Sequence, residues 1–427
     1  MEPNLIVNLA AAAVFGAIAA YILVLTVRQA HGRAMMARLA ESEQQLLGYR
    51  IQDLIERSRF ERMREELSWG GWRKFEIAQR VDEGGDVCSF VLAPHDKRLL
   101  PPFMPGQYLT FQLKLPGQTK PAVRCYSLSD APATEGYRIS VKRQVPPRDE
   151  TKADVTKSSS NWLHSTVREG DILDVKAPSG HFFLDPSQHQ PVVLIGGGVG
   201  ITPVLSMLNT LVARDSEQEI WFFYGVRNGR EHIMKEHLER IANEHLNVRM
   251  HVCYSDPEET DREGKDFQHK GRIGVDLFKK LMPSNNYDFL FCGPPPMMTS
   301  LYEGLHEWGV PDKHIHFEAF GPASVRRVGQ ATQSQAEPSV APKNFEIVFA
   351  RSGKTVAWSG EFDSLLDLAE ANGIPMESGC RAGNCGTCVA AVKFGDVSYA
   401  ITPGYPRESG TCLTCCSVPK SNLTIDA

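Results

Sequence analysis

The chain has 427 residues, 42% of them hydrophobic and 23% charged, and carries a net charge of −5 at pH 7. That length asks for roughly two to four domains. The acidic balance offers no basic footprint for nucleic acid, and ten cysteines in so long a chain do not make the dense disulfide framework of a small secreted domain. Residues 5–27 carry no charge, and only Asn8 and Thr26 among them are clearly polar. A helix of that length can cross a bilayer core. A cleaved signal would want basic residues ahead of the apolar run, where only Glu2 stands. Arg28, Arg33 and Arg38 follow instead, which predicts a single-pass anchor with everything after it in the cytoplasm. From 28 to 69 a charge-rich stretch without proline spaces Leu39, Leu46, Leu47, Ile51, Leu54 and Ile55 close to helical period. It reads as a stalk, with a short coiled-coil seam or a helix lying on the membrane as alternatives, and is ended by Trp69-Gly70-Gly71-Trp72; the heptad is too imperfect to claim a coiled coil.

From 73 to 188 short alternating runs at 74–80, 87–93, 108–113, 137–142 and 172–176 predict a small antiparallel barrel. Within it stands Arg124-Cys125-Tyr126-Ser127, which offers a forked phosphate donor, an aromatic face and a short hydroxyl. Taken alone, R-x-Y-S is equally a strand with a surface arginine. Pro105-Gly106-Gln107-Tyr108 before it adds weight, as does Ser160-Asn161-Trp162-Leu163 after it, a candidate helix start facing a pyrophosphate. From 189 to 320 apolar runs at 192–195, 220–224, 248–254 and 289–292 alternate with helical patterns near 203–214 and 231–243, which predicts a doubly wound parallel sheet. Its first strand ends in Gly196-Gly197-Gly198-Val199-Gly200-Ile201-Thr202-Pro203, a glycine turn that lets backbone approach a dinucleotide, although it is not a strict G-x-G-x-x-G. Cys292 ends the last of these runs, where a nicotinamide could lie or where a buried thiol would serve packing alone. Cys88, Cys125 and Cys253 read as small buried hydrophobes. Residues 321–343, rich in Gln, Ser, Ala and Pro, read as a flexible linker.

The last segment, 344–427, has a strand pattern at 345–350 and a helical one at 364–372. It holds Cys380, Cys385 and Cys388 among interleaved glycines, then Cys412, Cys415 and Cys416. C-x4-C-x2-C with a distant fourth cysteine is the spacing of a plant-type 2Fe–2S ligand set. Zinc sites prefer two close cysteine pairs or cysteine–histidine mixtures. Spacing leaves the fourth ligand open among the last three cysteines.

These motifs carry a resemblance. Residues 73–322 resemble the ferredoxin–NADP reductase superfamily, most closely the reductase half of flavohaemoglobins, through PGQY at 105–108, RCYSLSDAP at 124–132, GGGVGITP at 196–203, YGVRN at 224–228, CGPPPMM at 292–298 and FEAFGPA at 317–323. With the cysteine segment added, the order is similar to reductase components of ring- and carbon-hydroxylating oxygenases and to hybrid-cluster protein reductases. The resemblance implies a multidomain chain: an antiparallel β-barrel flavin domain, an α/β nicotinamide domain and an α+β (β-grasp) ferredoxin domain behind the transmembrane helix and stalk. It implies that Tyr108 and Arg124, Cys125, Tyr126 and Ser127 bind FAD, with Arg124 on the phosphates, Tyr126 on the ring and Ser127 near N5. It implies that Gly198, Val199, Gly200, Ile201, Thr202 and Pro203 bind NADH, with NADPH as the alternative. Ala319, Phe320, Gly321 and Pro322 are expected to close over the flavin, with Glu318 tuning it. FMN, used by the phthalate-type reductases, is the alternative flavin. The L-T-C segment shared with plant-type ferredoxins implies Cys415 as the fourth cluster ligand. The expected activity is a membrane-anchored NAD(P)H reductase feeding a terminal oxygenase, hydroxylase or desaturase at the lipid bilayer. Direct quinone reduction and a redox sensor or scaffold are the rivals.

Overall fold

The computed structural model describes residues 3–118, 121–144, 158–318, 320, 344–376, 378–379, 381, 383, 386–399, 403, 405 and 407–427. Ala319, Gly321, Pro322, Cys380, Cys385 and the 321–343 linker lie outside the described residues. The chain divides into one unit at 1–63 and a second, compact one at 64–427.

The first unit belongs to one helix, α1 (Pro3–Leu67). Proline suits its first position, where the missing N–H is no loss. After it no proline intervenes, and the glycines stand singly, so nothing breaks the helix at the expected border between span and stalk. Within it Ala12–Arg33 is long and apolar enough to cross a membrane by length and composition, with a mean hydropathy of 1.7.

The second unit opens with six antiparallel strands. They are β1 (Arg73–Gly84), β2 (Val87–Pro94), β3 (Tyr108–Leu113), β4 (Ala122–Ser127), β5 (Tyr137–Lys142) and β6 (Ile172–Val175), ordered β4-β3-β6-β1-β2-β5. The Leu128↔Ile139 bridge joins the chain just after β4 to β5. The β1–β2 hairpin turns on Gly85 and Asp86, at φ 57° and 60°, the left-handed pair that matches strand twist. Phe75, Ile77, Phe90, Leu92, Leu109, Phe111 and Val175 fill one core. Full burial of each such side chain contributes about 1.5–3 kcal/mol. β4 escaped the alternation because its burial does not alternate cleanly: Arg124 is exposed, while its neighbours Val123, Cys125 and Tyr126 are all half-buried. A seven-residue helix, α2 (Ser159–Ser165), packs beside β5.

Six parallel strands follow: β7 (Val192–Gly197), β8 (Ile220–Val226), β9 (Val248–Tyr254), β10 (His269–Lys270), β11 (Asp288–Cys292) and β12 (Ile315–Glu318), in the order β10-β9-β8-β7-β11-β12. Helices α3 (Ile201–Ala213), α4 (Lys235–Glu244), α5 (Val275–Leu281) and α6 (Pro295–Glu307) connect them. The helix expected near 231 starts at Lys235, because Gly229–Glu231 is a 3-10 turn and Met234 is left-handed at φ 56°.

The third region has a mixed sheet of β13 (Phe345–Phe349), β14 (Lys354–Trp358), β15 (Val389–Phe394), β17 (Thr411–Leu413) and β19 (Leu423–Ile425), ordered β14-β13-β19-β15-β17. A separate ribbon pairs β16 (Val397–Tyr399) with β18 (Ser417–Pro419). Its helix, α7 (Leu365–Ala371), is capped by Ser364, whose hydroxyl accepts from the Asp367 N–H at 3.2 Å. Leu365 and Leu368 of α7 pack with Ile347, Phe349, Leu423 and Ile425.

Candidate functional site

Strand order reverses between β7 and β11, which is where open parallel sheets form a crevice. The two strand ends touch because glycines let them. A Cβ on Gly200 would run into the Cys292 carbonyl, and one on Gly197 would sit 2.7 Å from Met297 Sδ. Gly198, at φ 55°, has open space where its side chain would be. A cavity of ≈610 Å³ opens there, lined by Gly197, Gly198, Val199, Gly200, Met297 and Phe320 among others. Its bare backbone suits a dinucleotide.

Of the six residues expected to bind the nicotinamide nucleotide, Gly198, Val199 and Gly200 line this cavity. Ile201, Thr202 and Pro203 are buried in α3, and the Thr202 hydroxyl donates to the Val199 carbonyl at 3.0 Å, bracing the turn. Cys292 is fully buried and absent from the lining. Burial, then the charge of Glu318, hold its thiol well above the ordinary range. Sequence reasoning passed over Lys142 and Glu231, which line the cavity and pair at 3.6 Å across from the first sheet to the parallel-sheet region. An acidic residue soon after the second strand was the available signal for Glu231.

On the first sheet, Tyr108 and Ser127 stand opposite one another in the β3–β4 register. Tyr126 meets Phe111 edge-on at 5.6 Å, and burial pushes its phenol well above the ordinary range. The Cys125 thiol lies 3.5 Å from the Thr110 hydroxyl. Arg124 faces a cavity shared with the cysteine-bearing region. The helix expected to open at Ser160 begins at Ser159, and its cap is Ser158, whose hydroxyl accepts from the Asn161 N–H. The Asn161 side chain is occupied with Gln144, accepting from its N–H at 2.8 Å and donating to its carbonyl at 3.0 Å.

Among the described cysteines, Cys388, Cys415 and Cys416 pack with Leu413, Tyr399 and Tyr405, and the Cys416 thiol donates to the Leu413 carbonyl at 3.6 Å. Cys412 lies apart, fully buried with Ile347 and Phe349, its thiol pushed up to about 11 by burial. Gly383 and Gly386 both take φ 71°, and a Cβ on Gly386 would collide with the Tyr405 ring. Thiols gathered on a glycine-turned loop are the donor set of an iron–sulfur cluster. Among the described residues no three metal-binding side chains gather by themselves, and Cys380 and Cys385 fall outside them.

Two contacts bind these parts together. Asp130, just after β4, accepts at its backbone carbonyl from Ser206 Oγ and at its carboxylate from Asn209 Nδ2 of α3, each at 2.7 Å. His181, after β6, meets Tyr405 edge-on at 4.9 Å, and Tyr405 donates its N–H to the Gly383 carbonyl at 3.0 Å.

Comparison with known proteins agrees with this anatomy. Residues 194–302 match the oxidoreductase NAD-binding domain, and residues 349–420 match the 2Fe-2S iron-sulfur cluster binding domain. A flavohemoprotein of Bacillus thuringiensis subsp. konkukian (strain 97-27) is 43% identical over 261 residues, which are 61% of this chain and 63% of that protein. The chain thus spans less than two thirds of the length of the curated relatives it matches. The flavohem-like FAD/NAD-binding domain of nitric oxide dioxygenase from Vibrio cholerae O1 biovar El Tor is 32% identical at TM-score 0.52, covering 59% of this chain and all of that one. Phthalate dioxygenase reductase, described as modular for electron transfer from pyridine nucleotides to [2Fe-2S], is 25% identical at TM-score 0.54, covering 84% of this chain and 98% of its own.

Proposed function

This chain belongs to the FAD- and NAD-binding oxidoreductases of flavohemoprotein type and carries a 2Fe–2S domain, and from there we propose that it is a reductase serving a separate terminal oxygenase or related acceptor. Its cofactors are FAD, NADH and a 2Fe–2S cluster. Bound at these sites, FAD and the cluster would supply hydride acceptance from NADH and one-electron transfer onward, chemistry that belongs to the cofactors. The protein's part is to hold, orient and insulate.

In this reading Gly198, Val199 and Gly200 hold the nucleotide by backbone. Arg124 holds the flavin phosphate, Tyr126 and Tyr108 flank the ring, and Ser127 stands at its reactive edge. Phe320 bounds the nucleotide cavity. Cys380, Cys385, Cys388 and Cys415 hold the cluster, with Cys415 chosen by its L-T-C context and packed in the same group as Cys388. The first sheet is read as the flavin barrel at 73–188, followed by the nucleotide domain at 189–320, the linker at 321–343 and a β-grasp cluster domain at 344–427. Residues 1–27 are the membrane anchor and 28–69 the stalk, which sets the acceptor at the same membrane and the remaining domains in the cytoplasm. The exposed apolar side chains between Val14 and Val27 support the anchor.

The observation that carries the reading is the continuity of the second unit, where the flavin sheet touches α3 through Asp130 and the cluster loop through His181 and Tyr405. Anaerobic NADH titration of the detergent-solubilised protein, followed by visible absorbance and EPR, tests it. Flavin bleaching together with a rhombic reduced-cluster signal is expected. Bleaching with no such signal even after dithionite overturns the cluster assignment.

A further inference from the structure

Between β4 of the flavin sheet and the cluster region lies a second cavity, of ≈600 Å³. Ligand sites commonly measure about 300–1,000 Å³, so this one has room for half of a dinucleotide. Its wall carries Arg124, Lys176 and Arg381 against the single carboxylate of Glu370. Trp72 adds an aromatic face, with Lys176 Nζ 5.0 Å from the ring centroid.

Arg381 comes from the cysteine loop, where it follows Cys380. It reaches Asp367 at 3.7 Å and contacts Glu370, yet its Nε is buried without a hydrogen bond among the described residues. Burial first, and then the charge of Arg381, hold Arg124 below its ordinary value. Two guanidinium groups facing one space repel each other. A diphosphate converts that repulsion into charge-assisted contacts on both sides, the recognition for which forked donors are suited.

We propose that this cavity takes the adenylate half of FAD, its diphosphate held by Arg124 and Arg381 and its adenine by Trp72. The cluster domain then completes the flavin site, and FAD binding fastens the cluster domain to the flavin sheet by reciprocal linkage. This rests on the reading that Arg124 holds the flavin phosphate. FMN ends at a single phosphate, lacks the adenylate, and engages Arg124 alone.

The test uses the full chain, stripped of flavin with its cluster retained, titrated with FAD and with FMN while flavin fluorescence reports binding and visible absorbance reports cluster content. Arg381→Gln and Trp72→Ala should each weaken FAD about tenfold while FMN affinity moves by less than about twofold. Arg381→Lys should recover part of the loss, and Arg124→Gln should weaken both flavins. The inference is overturned if the Arg381 and Trp72 variants leave FAD affinity unchanged, or weaken both flavins alike, while Arg124→Gln weakens both. If Arg124→Gln changes neither flavin, the underlying phosphate assignment falls and this inference with it. Trp72 lies outside the cluster domain, so its variant decides the matter should Arg381→Gln lose its cluster.

Discussion

At the scale of single residues, Cys412 and Cys415 separate by environment. Cys415 packs in one group with Cys388, whereas Cys412 is sealed into the sheet core. Cys415→Ser should therefore abolish the rhombic EPR signal of the reduced cluster. Cys412→Ala should keep that signal and lower stability by about 1–2 kcal/mol, as loss of a small buried group does. A urea titration beside the EPR spectrum distinguishes the two. Gly200 is constrained as tightly by its neighbour. Its added Cβ would strike the Cys292 carbonyl, so Gly200→Ala forces β7 and β11 apart at the crevice. The expected result is an NADH KM raised about tenfold with flavin content unchanged, from overpacking worth about 1–3 kcal/mol. The cysteine spacing was legible in the chain because ligand spacing is local. The difference between Cys412 and Cys415 was not, since it depends on which side of β17 and its following turn each thiol falls.

At the scale of elements, loops rather than strands join the working parts. Tyr405 touches His181 with its ring, fits over Gly386, and bonds to Gly383 through its backbone. Tyr405→Ala should leave the rate of flavin bleaching by NADH intact and slow cluster reduction about tenfold, the loss that ångström-scale misplacement brings. Stopped-flow absorbance resolves the two phases, and equal slowing of both would count against a joining role. The segment between β8 and α4 makes a different kind of prediction. His232 hydrogen-bonds Tyr254 at 2.8 Å, and burial, then the charge of Lys235, hold its pKa down at about 4. The unfolded chain takes up a proton near the ordinary value of 6.5 that the folded chain refuses. Stability should fall as pH drops from 6.5 toward 4, by ~1–3 kcal/mol from this group. His232→Gln should flatten that part of the pH profile of the urea midpoint. Ten of the nineteen strands among the described residues were readable from apolar alternation or continuous apolar runs, and the short β10 and β14–β19 were passed over. β4 was passed over because its burial does not alternate cleanly, with Arg124 exposed to a cavity, and α5 and β12 because short runs carry little periodic signal; α6, 13 residues long, was missed as well.

At the scale of the whole molecule, the helix at 3–67 and the unit at 64–427 invite separation. Removing residues 1–63 should leave NADH-to-cluster electron flow unchanged and shift the protein from lipid vesicles to the supernatant on flotation. Persistent vesicle binding of the shortened chain would sink the anchor assignment. This expectation belongs to the molecule as a whole because the second unit contains every cavity and cysteine assigned to the chemistry.

The amino-acid order alone settled which cofactor chemistries to look for and in what order along the chain, because glycine turns, R-x-Y-S and clustered cysteines act through near neighbours. Only tertiary structure decided which members of each motif face open space. Ile201, Thr202 and Pro203 turned out to brace the nucleotide turn, and Cys292 to pack beneath it. Only tertiary structure set Glu231 against Lys142, and Arg381 near Arg124 and Trp72, across distances in sequence that no local pattern records. The reason is physical: period and spacing specify a residue's element and side, whereas the cavity it meets is made by the elements packed against it.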